Sequence, residues 1–313
     1  MKYPKLLKNN DLIGITALSS GASDCVDEMN LAIDNLKKDF KVEVTKNVFG
    51  NYVVSSSKEE RVKELDSLLD KKVKMIFLSR GGDYLYETLD KIDFNKIKKS
   101  NIWIEGASDA TALLYILTTK YDLATIYGLN AKGYDNEVLE KYQLNSLEIL
   151  KGNILRQESF IDRKTISING DIKESGIIIG GCLDVLRYLF GTTYDNTLNF
   201  LFQYRDKKII WYFDIFAMGS VDVYLTLLQM KNMGYFKYSN TFVFGSILYP
   251  KIECELDYPS VYKKALGDVN ILYDANIGHV KPSFTIINGS MATIEYKNNK
   301  MILDMELKNE NNC

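Results

Sequence analysis

The chain has 313 residues and a single histidine, His279. Histidine is the side chain whose ordinary pKa lies closest to neutrality, so a mechanism needing an unperturbed neutral-pH base has one candidate. A zinc site built from several histidines is excluded. His279 lies in Asn276-Ile-Gly278-His279-Val-Lys-Pro282, where the flanking Gly and Pro predict a loop. The sharpest local pattern is Ile102-Trp-Ile-Glu-Gly106-Ala-Ser108-Asp109-Ala110. A buried strand stops at Gly106 and a helix begins within a few residues. Such a turn presents the Ser108 hydroxyl at a helix N-terminus, where the dipole and unpaired N–H groups favour developing negative charge. The pattern Gly-x-Ser-x-Ala is a near relative of the nucleophile elbow. The same residues also fit a plain helix cap. Arg80-Gly81-Gly82 follows another strand and allows two readings. One is an ordinary tight turn. The other is a second oxyanion donor, with Arg80 available for a substrate carboxylate. Asp214 ends the strand KIIWYF, where a carboxylate can reach a sheet edge or simply close a turn. Together Ser, Asp and His supply a nucleophile, an orienter and a base, in the chain order Ser–acid–His.

The elements that must hold these residues alternate strand and helix through the first half. Strands are expected at Asp11–Leu18, Lys41–Asn47, Val73–Leu78, Ile102–Glu105 and Leu123–Tyr127. Between them, Met29, Ala32, Ile33 and Leu36 recur at helical spacing after a cap at Asp24, and Ser57 to Glu60 forms a capping box. A helix carrying Tyr84 and Leu89 is expected, and another through Ala110, Leu113, Leu114 and Leu117. This alternation predicts an α/β fold with a parallel sheet covered by helices on both faces. After Gly133 the chain turns polar. The reading is an N-terminal domain over 1–135, a connecting segment over 136–165 with a helix near Val138–Leu150, and a C-terminal domain over 166–313. In that last part, strands are expected at Ile177–Ile179, Lys208–Phe213 and Thr241–Leu248, and helices at Leu183–Phe190 and Val221–Met233. Phe284–Ile287 and Thr293–Tyr296 suggest a closing hairpin around Asn288-Gly289.

Composition narrows the partners. Thirty-nine basic against 41 acidic residues leave a net charge of -2, without the basic footprint of a nucleic-acid binder. No apolar run approaches the roughly 20 residues of a membrane span. The N-terminal stretch lacks a signal-peptide pattern, and Cys25, Cys182, Cys254 and Cys313 are too scattered for a disulfide framework or a CxxC metal site. The expectation is a soluble, intracellular, reduced protein.

Several ordered blocks resemble the LD-carboxypeptidase family of serine peptidases, which includes the microcin-immunity peptidases. They are DLIGITALSS, FLSRGGDYLYETLDKID, IWIEGASDATALLYIL, GIIIGGCLDVLRYLFGTTY and NIGHVKP. The resemblance implies a Rossmann-like N-terminal domain with Ser108 as nucleophile. It also implies a smaller C-terminal α/β domain carrying His279 as base and Asp214 as the acid, with the site at the domain interface. The N–H groups of Gly82 and Asp109 would receive the oxyanion, and Arg80, Gly81 and Asn130 would contact a small peptide substrate. No metal or organic cofactor is implied, and the protein would be a cytoplasmic homodimer. The chain departs from the family in three places. Asp214 stands where glutamate is usual, about 1.5 Å shorter in reach. Tyr127 stands where many members have histidine, which is closer to the microcin-immunity branch. Cys182 replaces the asparagine of the usual Gly-Gly-Asn-Leu. Three functions follow: a carboxypeptidase trimming D-alanine from muropeptides in wall recycling, a peptidase cleaving toxic peptide–nucleotide conjugates, or an inactive binding homologue.

Overall fold

The computed structural model describes residues 1–160 and 164–307. The chain divides into two compact units, Met1–Ile154 and Leu155–Cys313. In unit 1 the strands are β1 (Leu12–Thr16), β2 (Lys41–Val44), β3 (Met75–Leu78), β4 (Trp103–Gly106) and β5 (Thr125–Tyr127). They lie in the order β5-β4-β3-β1-β2, and every neighbouring pair is parallel. The helices are α1 (Val26–Lys37), α2 (Lys58–Asp70), α3 (Phe94–Ser100), α4 (Thr111–Tyr121) and α5 (Lys141–Leu150). The helical spacing read from the sequence is the buried face of α1, with Met29, Ala32, Ile33 and Leu36 all inside. Helix α4 is buried along nearly its whole length, Thr111 through Thr119, as expected of a helix apolar all round.

Some local expectations are corrected. Asp24 caps nothing; Cys25 holds the cap position of α1 without a side-chain bond, and Asp24 is ion-paired to Arg80. The helix expected around Tyr84 and Leu89 is only a 3₁₀ turn at Tyr86–Thr88. Residues 136–165, expected as a connection, divide between the units. Helix α5 buries Tyr142, Leu147, Ile149 and Leu150 within unit 1, while Arg156–Glu158 is a strand of unit 2. An amphipathic helix with that much apolar surface has to pack on a core. Residues 161–163 of that segment, and Cys313, lie outside the described residues.

Unit 2 contains β6 (Arg156–Glu158), β7 (Ile166–Ser167), β8 (Ile172–Cys182), β9 (Ile209–Asp214), β10 (Ser239–Gly245), β11 (Asn270–Ala275), β12 (Ile286–Asn288), β13 (Met291–Lys297) and β14 (Lys300–Glu306). Its helices are α6 (Leu183–Leu189), α7 (Thr197–Gln203), α8 (Ser220–Asn232) and α9 (Tyr258–Leu266). The sheet order is β6-β14-β13-β8-β9-β10-β11-β7. Four central strands, β8 to β11, run parallel, and antiparallel strands flank them. The expected hairpin around Asn288-Gly289 is replaced by β13–β14, which turns at Asn298 and Asn299. Both asparagines have positive φ, 52° and 61°, the backbone a tight two-residue hairpin turn demands. The Asn-Gly signal was outweighed because β13 pairs instead with β8 and β14. Among the described residues no helix is long and apolar enough to cross a membrane.

Candidate active site

In unit 1 the chemistry-bearing residues gather at the carboxyl ends of β3 and β4. Strand β4 ends at Gly106, where a Cβ would stand 2.7 Å from that of Ala110. The chain then bends so sharply that Ser108 takes φ +62°. A non-glycine residue there is strained, by about 1 kcal/mol or more, and persists only where its surroundings hold it. The surroundings are explicit. Ala107 donates its N–H to Asn130 Oδ1 at 3.0 Å, and Ser108 donates its N–H to the Tyr127 hydroxyl at 3.2 Å. Ser108 is half-buried and makes no side-chain cap at the 3₁₀ turn Ser108–Ala110 or at α4, so the plain-cap reading falls.

The next residue braces the neighbouring loop. Asp109 Oδ2 accepts from Ser19 Oγ at 2.6 Å and from Leu85 N–H at 2.8 Å. Ser19 Oγ in turn accepts from Tyr84 N–H at 3.0 Å. Burial pushes the Asp109 carboxyl up to about 6, against the bonds from Ser19 and Leu85. Gly81 packs directly on the nucleophile candidate: a Cβ there would lie 2.9 Å from Ser108 Cβ and 3.2 Å from its Oγ. Gly82 has φ +140°, and a Cβ there would strike the hydroxyls of Ser19 and Ser20. Two residues expected to touch substrate are otherwise engaged. Asn130 is held by the Ala107 backbone, and Arg80 bonds through Nη1 to Asp24 and to the Gly21 carbonyl.

In unit 2 the residues gather at the ends of β8 and β9. Strand β9 is buried along its length and delivers Asp214 with no exposed surface. His279 Nδ1 lies 2.7 Å from Asp214 Oδ2. The contact is within charge-pairing distance but off the hydrogen-bond axis, so Nδ1 is a buried polar atom without a well-angled partner. The backbone N–H of His279 also donates to Asp214 Oδ1, at 3.3 Å. Burial opposes charge on the imidazole, but the close contact and charge of Asp214, with a smaller contribution from Asp184, outweigh it. The His279 pKa is therefore raised from its ordinary 6.5.

The short acid reaches the ring because of Gly278. This residue has φ +85°, and a Cβ on it would overlap the Asp214 carboxylate. Glycine lets the histidine loop settle directly on the acid and so recovers the missing methylene. Asp184 was not singled out from the sequence, since an acidic residue in a first helical turn usually just complements the dipole. Its two oxygens accept from Phe216 N–H and Ala217 N–H, both at 3.0 Å, fixing the turn that follows Asp214. That turn lays Phe216 against His279, ring centroids 4.4 Å apart, and Tyr249 meets Phe216 edge-on at 5.3 Å. Tyr249 is largely exposed.

A serine on a strained turn after a parallel strand, and separately a buried acid–histidine pair, are groups that hydrolases commonly use. The LD-carboxypeptidase N-terminal domain matches residues 13–128 and its C-terminal domain matches residues 175–294. The chain belongs to the LD-carboxypeptidase family, whose members are peptidases. A relative from Treponema pallidum (strain Nichols), provisionally named a carboxypeptidase, is 24% identical over 268 residues, 78% of this chain and 77% of the relative. The microcin C7 self-immunity protein MccF, solved in complex with aspartyl sulfamoyl adenosine, superposes with TM-score 0.83 at 19% identity. That match covers 98% of this chain and 99% of MccF. A muramoyltetrapeptide carboxypeptidase from Oxalobacter formigenes superposes with TM-score 0.78 at 21% identity, covering 95% of this chain and 99% of that one. These likenesses establish the fold.

Proposed function

We propose that the protein is a serine carboxypeptidase that hydrolyses an amide next to a C-terminal carboxylate. Ser108 attacks the carbonyl, His279 takes its proton and returns it to the leaving amine, and Asp214 holds the imidazole. The N–H groups of Asp109 and Gly82 receive the oxyanion. The observation that carries this reading is the pairing of the chain's one histidine with a fully buried carboxylate. The inactive-homologue alternative rested on the short acid, and the 2.7 Å contact favours catalysis instead. The substrate read first is a muropeptide losing D-alanine in the cytoplasm, with the enzyme a homodimer.

A second reading, cleavage of a peptide–nucleotide conjugate, is favoured by one observation. Phe216 and the exposed Tyr249 form an aromatic shelf beside His279, suited to a planar leaving group. The test is incubation with a muramyl tetrapeptide and with a peptidyl-nucleotide analogue, read by mass spectrometry beside the Ser108→Ala protein. Release of D-alanine supports the first reading, and cleavage of the analogue alone supports the second. Turnover of neither, or equal turnover by the variant, refutes the proposal.

A further inference from the structure

Cys182 is absorbed by none of the chemistry above. Parallel pairing sets it opposite Asp214 in register, at the ends of β8 and β9. One ligand atom each from Cys182, Asp214 and His279 lie within 4.8 Å of one another. Thiolate, carboxylate and imidazole are a donor set for zinc, with Zn–S about 2.3 Å and Zn–N about 2.1 Å, which places donors roughly 3.5 Å apart. To reach that spacing Asp214 and His279 part by roughly 0.8 Å, and the sulfur, within 4.8 Å of both, closes in. Nδ1 is the buried nitrogen without a well-angled partner. The Cys182 thiol donates to Asp184 Oδ2 at 3.7 Å, a bond it gives up when it loses its proton to bind a cation.

We propose that Cys182, Asp214 and His279 form an inhibitory site for a thiophilic divalent cation, zinc foremost. That zinc binds rests on the cluster; that it inhibits rests on the catalytic reading above. On binding, the Cys182 S–H bond breaks, the Zn–S bond forms and the proton leaves to solvent. Nδ1 gives its lone pair to the metal, so a neutral imidazole carries its proton on Nε2. That nitrogen must be bare to accept the serine proton. The cation therefore silences the base by fixing the wrong tautomer, without filling the substrate pocket.

The test uses the full-length, metal-free protein titrated with Co²⁺ as an optical probe. A thiolate-to-cobalt charge-transfer band should rise to one equivalent, vanish in both Cys182→Ala and Cys182→Ser, and persist in Cys254→Ala, which removes the thiol that is exposed among the described residues. Thermal melts show whether each variant is folded. The ring resonances of the one histidine should move on adding Zn²⁺ to the native protein, which reports the site without any variant. No band, a band surviving in Cys182→Ala, one lost in Cys254→Ala, or unmoved ring resonances overturns the site. Zn²⁺ should also inhibit hydrolysis, reversibly by chelator, with Cys182→Ala at least tenfold less sensitive. A Cys182-dependent band with hydrolysis unaffected by Zn²⁺ overturns the inhibition. If no substrate turns over even without metal, the catalytic reading fails while the cobalt band still decides the site.

Discussion

Ser108 and Asp214 both stand where a parallel strand of their own unit ends, yet they are held there by different physics. The serine sits on a backbone bent to φ +62°, and neutral hydrogen bonds donated by the Ala107 and Ser108 N–H groups to Asn130 and Tyr127 oppose the strain. The aspartate sits on relaxed strand backbone, and the strain is moved to its neighbour Gly278, a residue with no Cβ to clash. What holds the acid is charge: a buried carboxylate beside an imidazole whose pKa it raises. The serine site should therefore fail through loss of hydrogen bonds and the acid–histidine site through loss of approach or charge.

The largest expected effect is on the nucleophile. Ser108→Ala should lower kcat by about 10⁴-fold or more while stability changes by under about 1 kcal/mol, because the backbone braces remain. Comparison of single-turnover rates and denaturation curves checks both. Next comes Asp214→Asn, expected to lose about 10⁴-fold as the amide favours the wrong imidazole tautomer. Asp214→Glu, which the shorter reach alone would make tolerable, should instead lose activity, since its carboxylate has no space beneath Gly278. An Asp214→Glu protein as active as the native one would show that the loop, and not the glycine contact, sets the geometry.

Gly278→Ala tests approach directly. Its methyl would occupy the carboxylate position, and about 100-fold should be lost from displacing the ring by roughly an ångström. Unchanged kinetics there would break the contrast drawn above. Asn130→Ala should leave the half-buried Ala107 N–H without its partner, at a cost of about 1 kcal/mol in stability. A change in KM alone, with stability intact, would return Asn130 to substrate binding.

The smallest effects are in pH. His279 must be neutral to act as base, so activity falls as pH drops through its raised pKa, and weakening the Asp214 charge shifts that limb to lower pH. Because the folded pKa exceeds the unfolded one, His279 contributes stability that is complete below about 6.5 and is lost as pH rises through the folded value. Unit 1 behaves alike through different groups. Burial raises Asp109 to about 6 and Glu105 to about 8, so both favour folding on the acid side and lose that contribution as pH rises through those values. The NMR titration of the one histidine, set beside stability measured from pH 5 to about 9, separates the two units.

The first half of the fold was legible because βαβ alternation writes each element twice, once in hydrophobic period and once in turn residues. Strand β4, the Gly106 break and α4 all lie where the spacing puts them. The hairpin around Asn288-Gly289 was misread because a turn signal is local, whereas strand pairing is decided by every competing partner. Helix α5 formed where it was expected, near Val138–Leu150, but local pattern could not show that its apolar face packs into unit 1.

By itself the sequence determined which residues could do chemistry. One histidine leaves one base, and a serine between small residues after a buried strand leaves one turn for it. Only the tertiary structure decided who meets whom. Cys182, Asp214 and His279 are distant in the chain, and cysteine spacing along a sequence says nothing of such a cluster. Strand register places the thiol beside the acid, and the empty side of Gly278 lets the imidazole down onto it. Contact between residues far apart in sequence depends on sheet order and on ångström-scale close approach, and neither is encoded by local pattern.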